Sequence, residues 1–240
     1  MCTSIAVNRK KTIVGWNLDL LDMVWRVRPS EDGVFIEVDD ATEGWLPLFG
    51  ANARGDFVGM PTCWPYDGRS DPAGEGENII LLDIDLLLQK KTLAQIRQIA
   101  ERRPVYSVPG VTFMGALSDA AGNVLHIIPG QGSRYYERPD HQILTNFSPF
   151  KGNSEQHPWM GWDRYRRAEA MVQSAGEDFG VDDCFRILRA TAQEVCPTVV
   201  SMVFDVAERT VYWCENRQWD RIRTQKLDEN AAKGGKARGL

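Results

Sequence analysis

The sequence has no CxxC pair, no long uninterrupted apolar run and no excess of positive charge, and each absence removes a class of function. Its five cysteines, Cys2, Cys63, Cys184, Cys196 and Cys214, match no zinc-ligand spacing with His126, His141 and His157, so no metal is expected. In a reducing compartment they are not expected to form a disulfide framework. The longest apolar stretch, 79–88, is interrupted by Asp83 and Asp85, which argues against a membrane span. Residues 1–20 carry no apolar segment of the kind that directs export, which makes the cytoplasm the default location. With 33 acidic against 28 basic side chains the net charge is −5, and nucleic acid is not an expected partner. The densest basic cluster, Arg164, Arg166 and Arg167, is too short to change that. Neither GxGxxG nor GxxxxGK[ST] occurs, so no nucleotide cofactor is expected.

What is present suits one globular domain. The 240 residues are 43% hydrophobic and 25% charged, enough for a substantial core. Residues 1–227 are expected to form the domain, and the polar, Gly/Lys-rich 228–240 a disordered tail. Two short β-leaning segments, 2–8 and 12–19, flank the polar turn Asn8-Arg9-Lys10-Lys11. Further strands are expected within 23–38, broken at Pro29 and Gly33, and around Gly50–Gly59. Apolar residues at Leu81, Ile84, Leu87 and Leu88, then Leu93, Ile96 and Ile99, recur at helical spacing, with Thr92 as a second helix start. Strands at 111–116 and 124–128 surround the turn 119–123. Helices are expected at 163–172, capped by Asp163, and at 182–195, with strands at 199–204 and 211–214. Strands and helices in alternating blocks with short hairpins point to layered α+β packing.

The position with most chemical interest is Cys2. With Met1 removed, it carries a thiol and a free α-amine on one residue. The thiolate is the attacking form, and an α-amine titrating near ~7.7–8.0 can take and return the proton. The plain alternative is a small residue at a strand start. The 2–19 hairpin would return Asp19 towards Cys2, where its carboxylate could hold the ammonium; the alternative is a surface Asp at a strand end. Trp64 and Tyr66, beside a Gly/Pro-rich loop, either wall a pocket for an apolar group or pack on the core rim.

Four motifs, spanning residues 2 to about 215, resemble the linear amide C–N hydrolases of the N-terminal nucleophile superfamily, the choloylglycine hydrolase family. These are Met-Cys-Thr at the start, Gly-Trp-Asn-Leu-Asp at 15–19, Leu-Thr-Asn-Phe-Ser-Pro-Phe at 144–150, and Arg164-Tyr165 at a helix start. The Asp119–Gly130 hairpin also looks like one of the family's. The resemblance implies a four-layer αββα sandwich, two antiparallel sheets between helical layers. It implies Cys2 as nucleophile, Asp19 as the residue holding its amine, Asn146 as oxyanion donor and Arg164 as the site arginine. It also implies a small-molecule N-acyl amide substrate and no cofactor, and leaves homo-oligomerisation open.

Two departures stand out. Trp16 occupies the position where the family usually has Arg, so that charge is absent or comes from Arg26 or Arg28. Where bile salt hydrolases have a second oxyanion Asn, this chain has Pro61 and Thr62, so a second donor would be the backbone N–H of Thr62 or Cys63. The reaction expected is amide hydrolysis through a thioester. The rivals are acyl transfer from the same acyl-enzyme and a non-catalytic binding protein on this scaffold. A class II glutamine amidotransferase also uses an N-terminal Cys, but fits the Leu-Thr-Asn stretch poorly.

Overall fold

A computed structural model of the chain describes residues 2–64, 74–150 and 160–230. The first two strands, β1 (Cys2–Asn8) and β2 (Thr12–Asp19), form the expected hairpin, with Cys2 opposite Leu18 and Asn8 opposite Thr12. Every residue of both is buried, because each strand is covered on both faces. Side chains alternate across a strand. Ala6, Val14 and Trp16 therefore face one way, and Ile5, Val7 and Ile13 the other.

The rest of the chain supplies the two covers. In order come β3 (Trp25–Pro29), β4 (Gly33–Asp40), β5 (Gly44–Asn52), β6 (Phe57–Gly59) and the short β7 (Glu77–Asn78). Next are α1 (Ile79–Leu87), α2 (Leu93–Arg102), the short β8 (Val105–Tyr106), β9 (Gly115–Ser118), β10 (Val124–Ile128), β11 (Gly132–Tyr136) and β12 (His141–Leu144). The chain continues with α3 (Trp162–Ser174), α4 (Val181–Thr191), β13 (Thr198–Asp205), β14 (Thr210–Glu215) and β15 (Arg223–Lys226). One six-stranded sheet runs β12-β1-β2-β13-β14-β15 and one seven-stranded sheet runs β11-β10-β9-β6-β5-β4-β3. The pairings in both are antiparallel.

Between the sheets lies a core containing Val14, Trp16, Leu18, Ile36, Phe49, Met202 and Phe204. Helices α3 and α4 cover the outer face of the six-stranded sheet through Ala168, Val172 and Leu188 against Ile5, Ile13 and Val203. Contact is close: a Cβ at Gly15 would lie 2.4 Å from the Cys184 sulfur, so only glycine lets α4 lie this near β2. Helices α1 and α2 cover the other sheet through Ile79, Leu82, Leu86, Leu93 and Ile96 against Val58, Leu117 and Leu125. The architecture is the four-layer αββα sandwich.

Four local expectations change, the first being the strand expected at 111–116, which is β9 at Gly115–Ser118. Helix α4 stops at Thr191 rather than Val195, which frees residues 192–195 to turn back towards β2. Helix α3 begins at Trp162, with Gly161 in a left-handed conformation (φ 98°) as its N-cap and Asp163 inside the first turn. On α1, Leu81 is exposed while Asp83 faces the sheet.

Asp83 is fully buried, neither carboxylate oxygen has a hydrogen-bond partner among the described residues, and burial holds its carboxyl well above the usual range. A folded-state pKa raised above the unfolded one stabilises fully below the unfolded value, and that contribution is lost as pH rises. Asp83 should therefore weaken the fold progressively above about pH 4. We expect Asp83→Leu to raise the unfolding free energy at pH 8 by roughly 1–3 kcal/mol and to flatten its decline with pH. Urea titrations at pH 5 and pH 8 check this; a variant equally destabilised at both would contradict it.

Candidate active site

Sheet register brings the site together. Cys2 begins β1, and because it pairs with Leu18, Asp19 at the end of β2 comes to the same rim. On the other side of β1, Ser4 pairs with Leu144 of β12, so continuing the register two residues brings Asn146 level with Cys2. The Asn146 side-chain oxygen accepts from the Cys2 nitrogen at 2.9 Å and from Arg164 Nη2 at 2.7 Å. Its side-chain nitrogen donates to the Thr62 carbonyl oxygen at 2.7 Å and to Thr62 Oγ1 at 3.1 Å. Donors on one side and acceptors on the other fix which way the amide faces.

Arg164, in the first turn of α3, is 3% exposed. Its Nη1 donates to the Cys2 carbonyl at 2.7 Å and to Thr3 Oγ1 at 3.0 Å, and lies 3.9 Å from Asp19 Oδ2. These contacts turn the guanidinium inwards to order the Cys2–Asp19–Asn146 group. A Cβ at Gly161 would lie 2.7 Å from Arg164 Nη2, so the glycine that starts the helix also leaves space for this side chain.

Asp19 has a fully buried side chain. Thr198 Oγ1 donates to its Oδ1 at 2.5 Å, and Gln193 Nε2 donates to Oδ2. Burial raises its carboxyl to about 6, against the lowering effects of the Thr198 bond and the Arg164 charge. Burial also pushes the Cys2 thiol up to about 11, with the Asp19 charge adding to the rise and Arg164 opposing it. A thiol in that state is almost entirely protonated at neutral pH, so attack requires a base beside it. With Met1 still ahead of it, the Cys2 nitrogen is a peptide N–H, and only its release would create an amine there.

The segment carrying the other expected residues lies alongside. Trp64 is half-buried, donates its backbone N–H to the Asn146 carbonyl at 2.8 Å, and bridges to Phe147. Cys63 is buried and its N–H is engaged by the Thr112 carbonyl at 2.7 Å. Thr62 is half-buried, and its N–H makes no hydrogen bond among the described residues. Tyr66 lies outside the described residues. Trp16 is a fully buried core side chain stacked on Phe49 at 5.5 Å. Arg26 and Arg28 both bind Glu37, at 2.6 Å and 2.5 Å. Among the described residues, then, the guanidinium that meets Cys2 is that of Arg164.

Three residues here were missing from the sequence reading: Thr3, Gln193 and Thr198. The usable signal was a polar residue at the head of the apolar run 198–204, since strand β13 pairs with β2 and sets Thr198 opposite Asp19. No cluster of three or more His, Cys, Asp or Glu able to hold a metal occurs among the described residues. No helix there is long and apolar enough to cross a membrane.

No family model matches the chain, and no curated protein is similar to it in sequence. Solved structures are. A mutant conjugated bile acid hydrolase from Clostridium perfringens superposes with a TM-score of 0.69 at 12% identity, over 98% of this chain and 94% of that one. Penicillin V acylase from Agrobacterium tumefaciens gives 0.64 at 13% identity, over 90% and 83%. A Caenorhabditis elegans ortholog of N-acylethanolamine-hydrolyzing acid amidase gives 0.58 at 17% identity, over 95% and 100%. At such identities the likeness speaks to architecture, and the chain has the fold of the N-terminal nucleophile hydrolases.

Proposed function

We propose that this protein hydrolyses linear amides with Cys2, once Met1 is removed, as both nucleophile and base. The observation that carries the reading is the contact of the Cys2 nitrogen with Asn146 Oδ1 at 2.9 Å, within a group that also contains Arg164 and buried Asp19. An amine there has a fixed acceptor and a nearby carboxylate, so its lone pair can be aimed at its own sulfur. The three structural neighbours, named as a conjugated bile acid hydrolase, a penicillin acylase and an N-acylethanolamine-hydrolyzing amidase, support amides as the substrate class.

In the first half-reaction the Cys2 sulfur bonds to the amide carbon as its proton passes to the α-amine. The C–N bond then breaks, and the α-ammonium returns that proton to the leaving nitrogen. Water attacks the thioester in the second half, releasing the carboxylic acid and the free thiol. Negative charge on the carbonyl oxygen is met by the Thr62 N–H and by Asn146 Nδ2, which gives up its longer, 3.1 Å contact to Thr62 Oγ1 to do so. One such donor is worth about 3–4 kcal/mol of barrier. Cys63 contributes strand position rather than a donor, since its N–H is engaged. Trp64, held beside Phe147, supplies an aromatic wall for the acyl group. Arg164 orders the network rather than meeting a substrate carboxylate.

The test is a panel of N-acyl amides differing in acyl length and head group, read by amine release, with intact mass recorded on rapidly quenched protein. The expected result is loss of Met1 and an acyl adduct on residue 2 with the cleaved substrates. Full activity in protein that retains Met1 would overturn the reading.

A further inference from the structure

Asp19 places a carboxyl beside Cys2, and its surroundings raise a question of charge. A carboxylate with no solvent exposure is costly to ionise unless donors or cations compensate. The ionisable groups facing it include the charged amino terminus, the Cys2 thiol from β1, and Arg164 from α3, whose nearest nitrogen is 3.9 Å away and is shared with the Cys2 carbonyl and Thr3. Among its direct contacts are two neutral donors beyond the end of α4. Thr198 Oγ1 reaches Oδ1 at 2.5 Å, and Gln193 Nε2 reaches Oδ2.

These two donors are themselves locked. The Gln193 N–H donates to Thr198 Oγ1 at 2.9 Å, so the single hydroxyl hydrogen is left for Asp19. The Thr198 N–H returns a bond to the Gln193 carbonyl at 3.1 Å, closing the 193–198 turn on itself. The Leu20 N–H then donates to the Pro197 carbonyl at 3.1 Å, which ties that turn to the end of β2 where Asp19 sits.

We propose that Gln193 and Thr198 are positioning residues that clamp the Asp19 carboxylate in its ionised form at the Cys2 end of β2. This rests on the amidase reading and adds to it two residues that, beside the neighbouring charges, help keep Asp19 ionised when the amine must be held. Both donors favour the charged form of the carboxyl, against a burial that raises it to about 6. Removing either moves the ionisation of Asp19 upward, and the low-pH limb of activity moves with it.

The experiment compares Thr198→Val, Gln193→Leu and Thr198→Ser with the wild type. Each is followed by the pH profile of kcat/KM for amine release and by a carboxyl carbon NMR titration of Asp19, assigned with Asp19→Asn. Thr198→Val and Gln193→Leu should each shift the acidic limb and the NMR midpoint upward by roughly one pH unit, giving about tenfold less activity on that limb. Above the limb the rate should return to within a few-fold of wild type. Thr198→Ser, which keeps the donor, should restore the wild-type profile. Gln193 is half-buried, so its variant keeps the test open if Thr198→Val does not fold. A uniform fall in rate at every pH with an unmoved NMR midpoint overturns the clamp. An NMR midpoint that shifts in a protein with no Cys2-dependent amidase activity upholds the clamp and refutes the amidase reading instead.

Discussion

Cys2→Ala should abolish amine release while the protein stays folded. The Cys2 side chain contributes one sulfur to the inter-sheet core and is 4% exposed, so truncation costs on the order of 1–2 kcal/mol of packing. The backbone contacts to Asn146 and Arg164 do not use the side chain and survive the substitution. The catalytic loss is of another size, because the substitution removes the attacking sulfur itself. Removing a covalent nucleophile typically costs on the order of 10⁴-fold or more in kcat. Cys2→Ser keeps the shape but offers a poorer nucleophile, and should fall between. A second form, with extra residues ahead of Cys2, keeps the thiol but turns its nitrogen into a peptide. Burial holds that thiol near 11, so this form should also be inactive at neutral pH. Amine-release rates beside thermal unfolding curves give the comparison. Cys2→Ala retaining a tenth of wild-type activity would remove the proposed nucleophile.

Arg164→Met should be the most destabilising substitution at the site. Methionine matches the length of the aliphatic stem but leaves the Cys2 carbonyl and Thr3 Oγ1 without their donor and Asn146 Oδ1 with one donor instead of two. It also removes the cation that helps keep Asp19 ionised. Breaking a buried charged network by deleting one partner costs about 3–5 kcal/mol. The sign with pH follows from Asp19, whose folded-state value is already raised to about 6. Stability from a raised group is full below the unfolded value and lost as pH rises through the folded one. Without Arg164 the folded value climbs further, so the stability difference between variant and wild type should be larger at pH 8 than at pH 4. Arg164→Lys should recover part of the loss only, since an ammonium lacks the planar fork that reaches Cys2, Thr3 and Asn146 together. Urea titrations at the two pH values decide it; equal loss at both would show that Arg164 does not act on Asp19.

Much of this site is legible in the sequence. The alternation in 2–8 and 12–19 defines a hairpin, and a hairpin of that length returns Asp19 to Cys2 by counting residues alone. Asn146 and Arg164 were legible through motifs. Helix α1 shows where periodicity fails: Leu81 and Ile84 fit one apolar stripe, but the sheet takes the face with Ile79, Leu82 and Leu86. A strongly apolar nine-residue helix has several faces that could be buried, and its local pattern does not choose between them.

The sequence by itself determined the strands, the four-layer class by resemblance, and the residue types that suit acyl chemistry, because periodicity and motif spacing are local properties of the chain. Only the tertiary structure decided which donors surround the Asp19 carboxylate. Gln193 and Thr198 are 174 and 179 residues away along the chain and reach it because β13 pairs with β2. It also decided that α4 ends early enough to release Gln193, and that Arg164 points inwards. These are outcomes of sheet order and helix docking, which are set by burial summed over the whole core, and no short stretch of sequence carries that sum.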